Sequence, residues 1–154
     1  LRMSHDVLKD QVEEILDTWY GFFGSNPHLL ATFSTPDGKP IQEYLSAVRT
    51  RFGQWILETA KARYDESWLA KQLEIGLRHH RSKKNRTDGA KAMDVVPFRH
   101  LFPTVYPVTA TLRPFLTKKG NSAEEIDKMH AAWIKSCLLQ LTLWSQPYIR
   151  PEDF

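Results

Sequence analysis

The segment that most constrains this chain is WLAKQLEIGLRHHR, at Trp68–Arg81, in which two adjacent histidines end an amphipathic pattern. Apolar residues recur there at helical spacing on two neighbouring rows, and each row ends in one histidine, His79 or His80. The pattern predicts a helix whose last turn brings either imidazole to a buried position. A histidine on an apolar face is most often a hydrogen-bonded core residue, and less often the axial ligand of a haem iron. This helix alone leaves both interpretations open, together with the choice of histidine.

Length and composition indicate one domain that spans residues 1–154. The chain has 154 residues and is 42% hydrophobic, which is enough to bury roughly 70% of the surface that the unfolded chain exposes. Its five Trp, five Tyr and eight Phe predict a core with bulky, rigid walls or a pocket for a flat apolar ligand.

The net charge is +3 and the pI is about 9.0, with much of the excess in RHHRSKKNR at Arg78–Arg86. Such a run is suited to anionic groups, either nucleic-acid phosphates or the carboxylates of a cofactor. It is too short and has too few interleaved aromatics to indicate a nucleic-acid partner. The commonest explanation is a solvated helix end, where cations complement the helix dipole.

Cysteine usage and hydropathy indicate the cellular compartment in which the protein is expected to work. Cys137 is the only cysteine, so an intrachain disulfide and a thiolate metal cluster are excluded. No stretch approaches the roughly 20 apolar residues that cross a membrane. The charged N-terminus is unlike a secretory signal, and a longer natural segment is expected before Leu1. We therefore expect a soluble, cytoplasmic protein that does not span a membrane.

The periodicity predicts an all-α fold of about five main helices and no strand. Pro103 and Pro107 should kink or break the fourth helix, and Ser122 with Glu125 forms a capping box for the last. That last helix is apolar on more than half of its circumference, which predicts a central position or a shared interface. The predicted helices are Ser4–Phe23, Ile41–Lys61, Trp68–Arg81, Pro97 to about Lys119, and Ser122 to Pro147.

The order of these helices and several short motifs resemble the protoglobins, the single-domain relatives of the globin-coupled sensors. The resemblance covers nearly the whole chain and implies a globin-like helical sandwich around haem b, typically as a homodimer formed through the last two helices. The motifs are DQVEEILDTWYGF (Asp10–Phe22), NPHLL (Asn26–Leu30), RFGQWIL (Arg51–Leu57), EIGLRHHRSKKN (Glu74–Asn85), YPVTATLRPFL (Tyr106–Leu116) and LWSQPY (Leu143–Tyr148).

Carried over residue by residue, the resemblance makes His79 the proximal iron ligand and leaves His80 uncoordinated. No histidine lies between His28 and His79, so the second helix supplies no second ligand and the sixth position is expected to be vacant or water-filled. Tyr20 is expected to donate a hydrogen bond to bound O2, whose partial negative charge a phenol stabilises. The other predicted cofactor-binding residues are Trp19 and Phe52 on the distal side, Phe33 at the haem edge, and Val48, Leu101, Thr104 and Val108 on pocket-facing helices.

The chain departs from its relatives at Phe102-Pro103-Thr104, where they commonly have an aliphatic residue, alanine and phenylalanine. Replacement of an aromatic ring by Thr104 is expected to open space in the pocket wall, because cavities relax only in part. Five basic residues are candidates for the haem propionates, and the sequence leaves the choice among them open: Arg51, Arg78, Arg81, Lys83 and Lys84.

The predicted function is reversible binding of O2, CO and NO by a haem b protein that acts as a gas sensor or scavenger. The alternative is a haem enzyme that carries out NO dioxygenation, peroxidase-type chemistry or, in an engineered sequence, carbene or nitrene transfer.

Overall fold

The structure, a computed structural model, describes residues 1–154 and confirms the all-α prediction. Short 3-10 helices follow α3 and α8, and the only β-type pairing is an isolated bridge between Ser34 and Pro40. No helix combines the length and the apolar composition needed to cross a bilayer. The α-helices are α1 (Arg2–Leu8), α2 (Val12–Gly24), α3 (Pro27–Leu30), α4 (Gln42–Lys61), α5 (Glu66–His79), α6 (Phe98–Leu101), α7 (Val105–Leu116) and α8 (Ala123–Ser145).

The first predicted helix, Ser4–Phe23, is wrong as a single element, because it is divided into α1 and α2. The side chain of Gln11 lies buried at the junction. Its amide nitrogen donates to the carbonyls of Val7 at 2.6 Å and Phe115 at 3.1 Å. Both α1 and α2 pack against α4 and α7, on either side of this junction. A glutamine that fastens a bend to a distant helix has no signature in local periodicity.

The fourth predicted helix breaks where its prolines indicated. Phe102-Pro103-Thr104 separates α6 from α7, and Thr104 is the N-cap residue of α7. The hydroxyl of Thr104 donates to the Leu101 carbonyl at 2.6 Å. Pro107 lies in the first turn of α7, where the backbone nitrogen has no partner within the helix to lose. Pro103 therefore marks the break, whereas Pro107 is accommodated.

Helix α8 is the central element, as its apolar circumference predicted. The capping box is present: Glu125 N donates to Ser122 Oγ at 3.3 Å and Ser122 N to Glu125 Oε2 at 2.8 Å. The helix packs against α5, α6 and α7. The buried core residues come from α1, α2, α4, α7 and α8, with Trp133 of α8 only 1% exposed. This core lies beside a cavity that α5 closes.

Candidate functional site

A cavity of about 430 Å³ lies among α2, α4, α5, α7 and α8. Its volume is within the roughly 300–1,000 Å³ typical of small-molecule and cofactor sites. Of its 26 lining residues, 15 are hydrophobic. The apolar walls favour a large apolar ligand, and the polar lining residues are available to fix its orientation.

His79 lies in the cavity wall as the last residue of α5. Its Nδ1 is 2.8 Å from the carbonyl oxygen of Ile75, one turn earlier. Because a carbonyl only accepts, Nδ1 carries the proton, and Nε2 is left as an unprotonated nitrogen without a partner. Burial lowers the pKa of His79 and outweighs the opposing effect of this hydrogen bond. The neutral ring therefore presents a lone pair, which is what a metal ion requires of histidine.

Trp144 of α8 fixes the orientation of this imidazole. The two rings are stacked, with centroids 5.4 Å apart and planes inclined by 12°. The indole is itself held, since Trp144 Nε1 donates to Gln72 Oε1 at 2.9 Å. Gly76 makes this approach possible, because a Cβ there would lie 3.0 Å from both Cα and O of Trp144. Helices α5 and α8 thus meet backbone to backbone beside His79.

His80 lies outside the cavity lining. The chain leaves the helix at this residue, whose ψ is 155°, and the imidazole turns to other neighbours. Its Nδ1 is 3.1 Å from Ser82 Oγ, and its ring meets that of Tyr148 edge-on at 5.1 Å. The structure thus separates the two histidines that the periodicity treated as equivalent.

Stacked aromatic rings from α2 and α4 form another part of the cavity wall. The rings of Trp19 and Phe52 are 4.2 Å apart, and those of Phe52 and Trp55 are 5.2 Å apart. Trp19 Nε1 is buried and has no hydrogen-bond partner. An unpaired buried donor costs free energy, so an acceptor that reached this nitrogen would be stabilised.

The structure brings eight of the nine predicted site residues into one cavity lining and leaves Tyr20 out of it. Successive helical residues point about 100° apart, so Tyr20 lies on a neighbouring face of α2, although its ring still meets that of Trp19 edge-on, with centroids 6.4 Å apart. The Arg49 guanidinium lies 5.5 Å from the centre of the Tyr20 ring, and burial raises the pKa of the phenol to about 12. The eight lining residues are Trp19, Phe33, Val48, Phe52, His79, Leu101, Thr104 and Val108.

The sequence interpretation missed Trp144 and Trp55 as site residues. Both line the cavity, whereas in the sequence they stood out only as members of the motifs RFGQWIL and LWSQPY. Trp144 is 65 positions from His79 in the chain, and periodicity within one helix carries no information about such a contact. The only signal available was the aromatic content, with five tryptophans among 154 residues.

Basic side chains at the polar part of the cavity are already paired with carboxylates. The guanidinium of Arg51 makes a bidentate ion pair with Asp88, in which Nη1 donates to Oδ1 at 2.9 Å and Nη2 donates to Oδ2 at 2.7 Å. Arg78 donates to Glu74 at 2.8 Å, and Lys71 pairs with Glu58. Of the five basic residues predicted to meet propionates, Arg51, Arg78 and Lys84 line the cavity, whereas Arg81 and Lys83 do not.

Lys84 has a different environment, because it is only 2% exposed. Its ammonium donates to the carbonyls of Thr32 at 2.8 Å and Met93 at 2.6 Å. Burial lowers the pKa of Lys84 to about 8. The side chain ties the segment after α5 to the turn after α3, so it contributes chiefly to the construction of the cavity wall.

The residues present fit a haem. His79 offers one free axial nitrogen, the walls are largely apolar, and Arg51 and Arg78 lie at the polar edge, where an anionic side group would exchange with the protein carboxylates that they now hold. No curated protein sequence matches the chain. The Protoglobin family model matches residues 1–153, which implies a haem cofactor and agrees with a globin-like helical fold. The chain therefore belongs to the protoglobin family.

Proposed function

We propose that this protein binds haem b and uses a five-coordinate iron to bind O2, CO and NO reversibly, as a gas sensor or scavenger. The observation that carries the proposal is His79, a cavity-lining imidazole with Nδ1 engaged and Nε2 free. The single cysteine, Cys137, is buried and unpaired, which suits the reducing cytoplasm in which we propose that the protein works.

His79 would serve as the proximal ligand through Nε2. Its hydrogen bond to Ile75 fixes the tautomer, and the stacked Trp144 ring restrains rotation of the imidazole. Such outer-shell contacts orient a ligating histidine and raise its basicity. The bound haem supplies the reversible iron–gas bond, while the protein supplies the ligand, the apolar enclosure and the exclusion of water.

Trp19 is the polar group that we assign to the gas-binding side. Trp19 lines the cavity, and its Nε1 is a buried donor with no partner in the protein. A small rotation of the ring would let this N–H group donate to bound O2, which carries partial negative charge on iron and is stabilised more than CO. Tyr20, the donor expected from the resemblance, would have to turn into the cavity to compete. The neighbouring Phe52 would set the shape of the site.

The visible spectrum of the haem-loaded protein tests the assignment of the ligand. We expect His79→Ala to lose the five-coordinate ferrous spectrum and His80→Ala, the matched control, to keep it. Added imidazole should restore a ligated spectrum to a folded His79→Ala protein. A parent protein that shows no Soret band after incubation with haem would refute the proposal, and loss of the spectrum in His80→Ala alone would refute the assignment.

We also propose a homodimer through α7 and α8. Leu138 and Leu139 of α8 are 48% and 45% exposed, in a helix that buries Trp133, Cys137 and Leu141 on its other side. Exposed adjacent leucines are typical of an interface core. Light scattering after size exclusion should give twice the chain mass for the parent and a monomer for Leu138→Lys with Leu139→Lys. A monomeric parent would contradict the proposal.

A further inference from the structure

A continuous series of tryptophans leads from His79 into the protein. Trp144 stacks on the His79 ring, and the rings of Trp144 and Trp55 are 6.0 Å apart. Indoles are the most readily oxidised large side chains apart from phenols, and aromatic rings in contact exchange electrons readily. The arrangement thus connects the cavity with the interface between α4 and α8.

Each indole of the series donates its N–H to an uncharged amide oxygen. Trp144 donates to Gln72 Oε1 at 2.9 Å, and Trp55 donates to Gln140 Oε1 at 2.6 Å. Gln140 is completely buried. An acceptor held against the N–H stabilises positive charge on an indole, because the charged donor makes a stronger hydrogen bond. Both rings are therefore suited to the transient loss of one electron.

The series reaches the surface at Tyr64. Gln140 Nε2 donates to Ser136 Oγ at 3.1 Å, and the Tyr64 hydroxyl donates to the same oxygen at 3.2 Å. Hydrogen bonds thus connect Trp55 with Tyr64 through two buried side chains. Tyr64 is 52% exposed, so its phenol can lose a proton to water when it loses an electron.

We propose that Trp144, Trp55 and Tyr64 form a one-electron route from the surface to the cavity, and that through it the haem-loaded protein reduces hydroperoxides with electrons from phenolic donors. The inference rests on the proposed haem binding. It adds a reaction, a donor class and a surface site to gas binding.

The reaction balances as follows. A hydroperoxide, ROOH, accepts two electrons and two protons in the cavity; its O–O bond breaks, and ROH and water form. Trp144 gives each electron and is then reduced by Tyr64 through Trp55. Tyr64 releases one proton per electron to solvent. An external phenol then returns one hydrogen atom to the Tyr64 radical. Two such cycles complete the reduction of one hydroperoxide.

The experiment uses the full chain loaded with ferric haem and treated with cumene hydroperoxide, without an external donor. Freeze-quench EPR should show a tyrosyl radical, and spin-trap labelling with peptide mapping should place it on Tyr64. Tyr64→Phe should lose this signal. Tyr106→Phe, which removes a more exposed tyrosine (72%) outside the hydrogen-bonded series, should keep it.

Two indole variants test the route itself. Trp144→Phe and Trp55→Phe keep an aromatic ring but remove the oxidisable indole, and both should lose most of the label on Tyr64. Trp55 does not touch His79, so this variant remains informative if Trp144→Phe disturbs the ligand. Full labelling of Tyr64 in both variants would overturn the proposal, as would labelling elsewhere in the parent. Those results with an intact Soret band leave haem binding standing, whereas absence of that band refutes the proposed function.

Discussion

The imidazole of His79 and the indole of Trp144 lie almost parallel, with their planes inclined by 12°. Only one nitrogen of the histidine is engaged, by the Ile75 carbonyl, and Trp144 holds the flat face of the ring. The two contacts act on different degrees of freedom, since the hydrogen bond selects the tautomer and the stacked indole limits rotation. Nε2 is thus presented in one direction before any ligand binds.

The first prediction concerns the close approach that makes this stacking possible. We expect Gly76→Ala to destabilise the protein by about 1–3 kcal/mol, the usual cost of overpacking, because the added methyl group meets the Trp144 backbone at 3.0 Å. The haem spectrum should change at the same time as α5 moves from α8. Gly21→Ala is the control: nothing lies within 4 Å of that position, and alanine should stabilise the helix by up to about 1 kcal/mol. Equal unfolding midpoints in denaturant for parent and Gly76→Ala would contradict the prediction.

The second prediction identifies the donor to bound O2. Trp19→Phe should raise the O2 dissociation rate roughly tenfold to a hundredfold, the equivalent of losing a hydrogen bond of about 1.5–3 kcal/mol. The CO rate should change much less. Tyr20→Phe should have the smaller effect on O2, since Tyr20 lies outside the cavity lining. Stopped-flow rates for both gases decide between them, and a larger O2 effect for Tyr20→Phe would restore the expectation drawn from the family resemblance.

The third prediction follows from Thr104 in the cavity wall. Thr104 is the N-cap residue of α7, and its hydroxyl donates to the carbonyl of Leu101 in α6. We expect the break at Pro103 to keep α7 from moving into the space beside this small side chain. We expect Thr104→Phe to fill space and to weaken and slow imidazole binding to the ferric protein. Titration and stopped-flow mixing measure both effects. If the variant binds imidazole as tightly and as fast as the parent, the wall is not enlarged at this position.

The fourth prediction concerns pH. Burial holds the pKa of Lys84 at about 8, against 10.5 for an unburied lysine. Between these values the unfolded chain binds a proton that the folded chain has lost, so this residue makes the free energy of unfolding rise with pH, by less than about 1.4 kcal/mol per unit. Below about pH 8 the contribution is constant.

Denaturant unfolding at several pH values tests this sign. Lys84→Met should lose the rise between pH 8 and 10.5, whatever its effect on overall stability. The exposed Lys91 is the control, and Lys91→Met should keep the pH dependence of the parent. Parallel curves for the parent and Lys84→Met would show that Lys84 titrates alike in both states.

The accuracy of the sequence interpretation depended on how far apart in the sequence the interacting residues lie. The capping box at Ser122 and the break at Pro103 were predicted because each depends on a few consecutive residues. The α1–α2 bend was missed because Gln11 bonds to Phe115, 104 positions away. Neighbouring residues determine helix caps and helix breaks, so local patterns predict them. A bend that is stabilised by a residue far away in the sequence has no local sequence signal.

The same distinction applies to the candidate site. Helical spacing identified the faces that carry Trp19, Phe52 and His79, and the family resemblance selected His79 over His80. Spacing could not place Tyr20, because one step along α2 changes the direction of a side chain by about 100°. It also could not identify Trp144, whose contact with His79 joins the last helix to the third predicted one.

The ion pairs at the polar edge of the cavity have a consequence for ligand selection. Arg51 and Arg78 already hold Asp88 and Glu74, so a carboxylate on an incoming ligand exchanges with a protein carboxylate. The free-energy change of such an exchange is the difference between two similar bonds, one broken and one formed. Attraction between charges therefore adds little to affinity, and ionic strength should change it only weakly. Discrimination among flat anionic ligands falls to the apolar walls and to the single free nitrogen of His79.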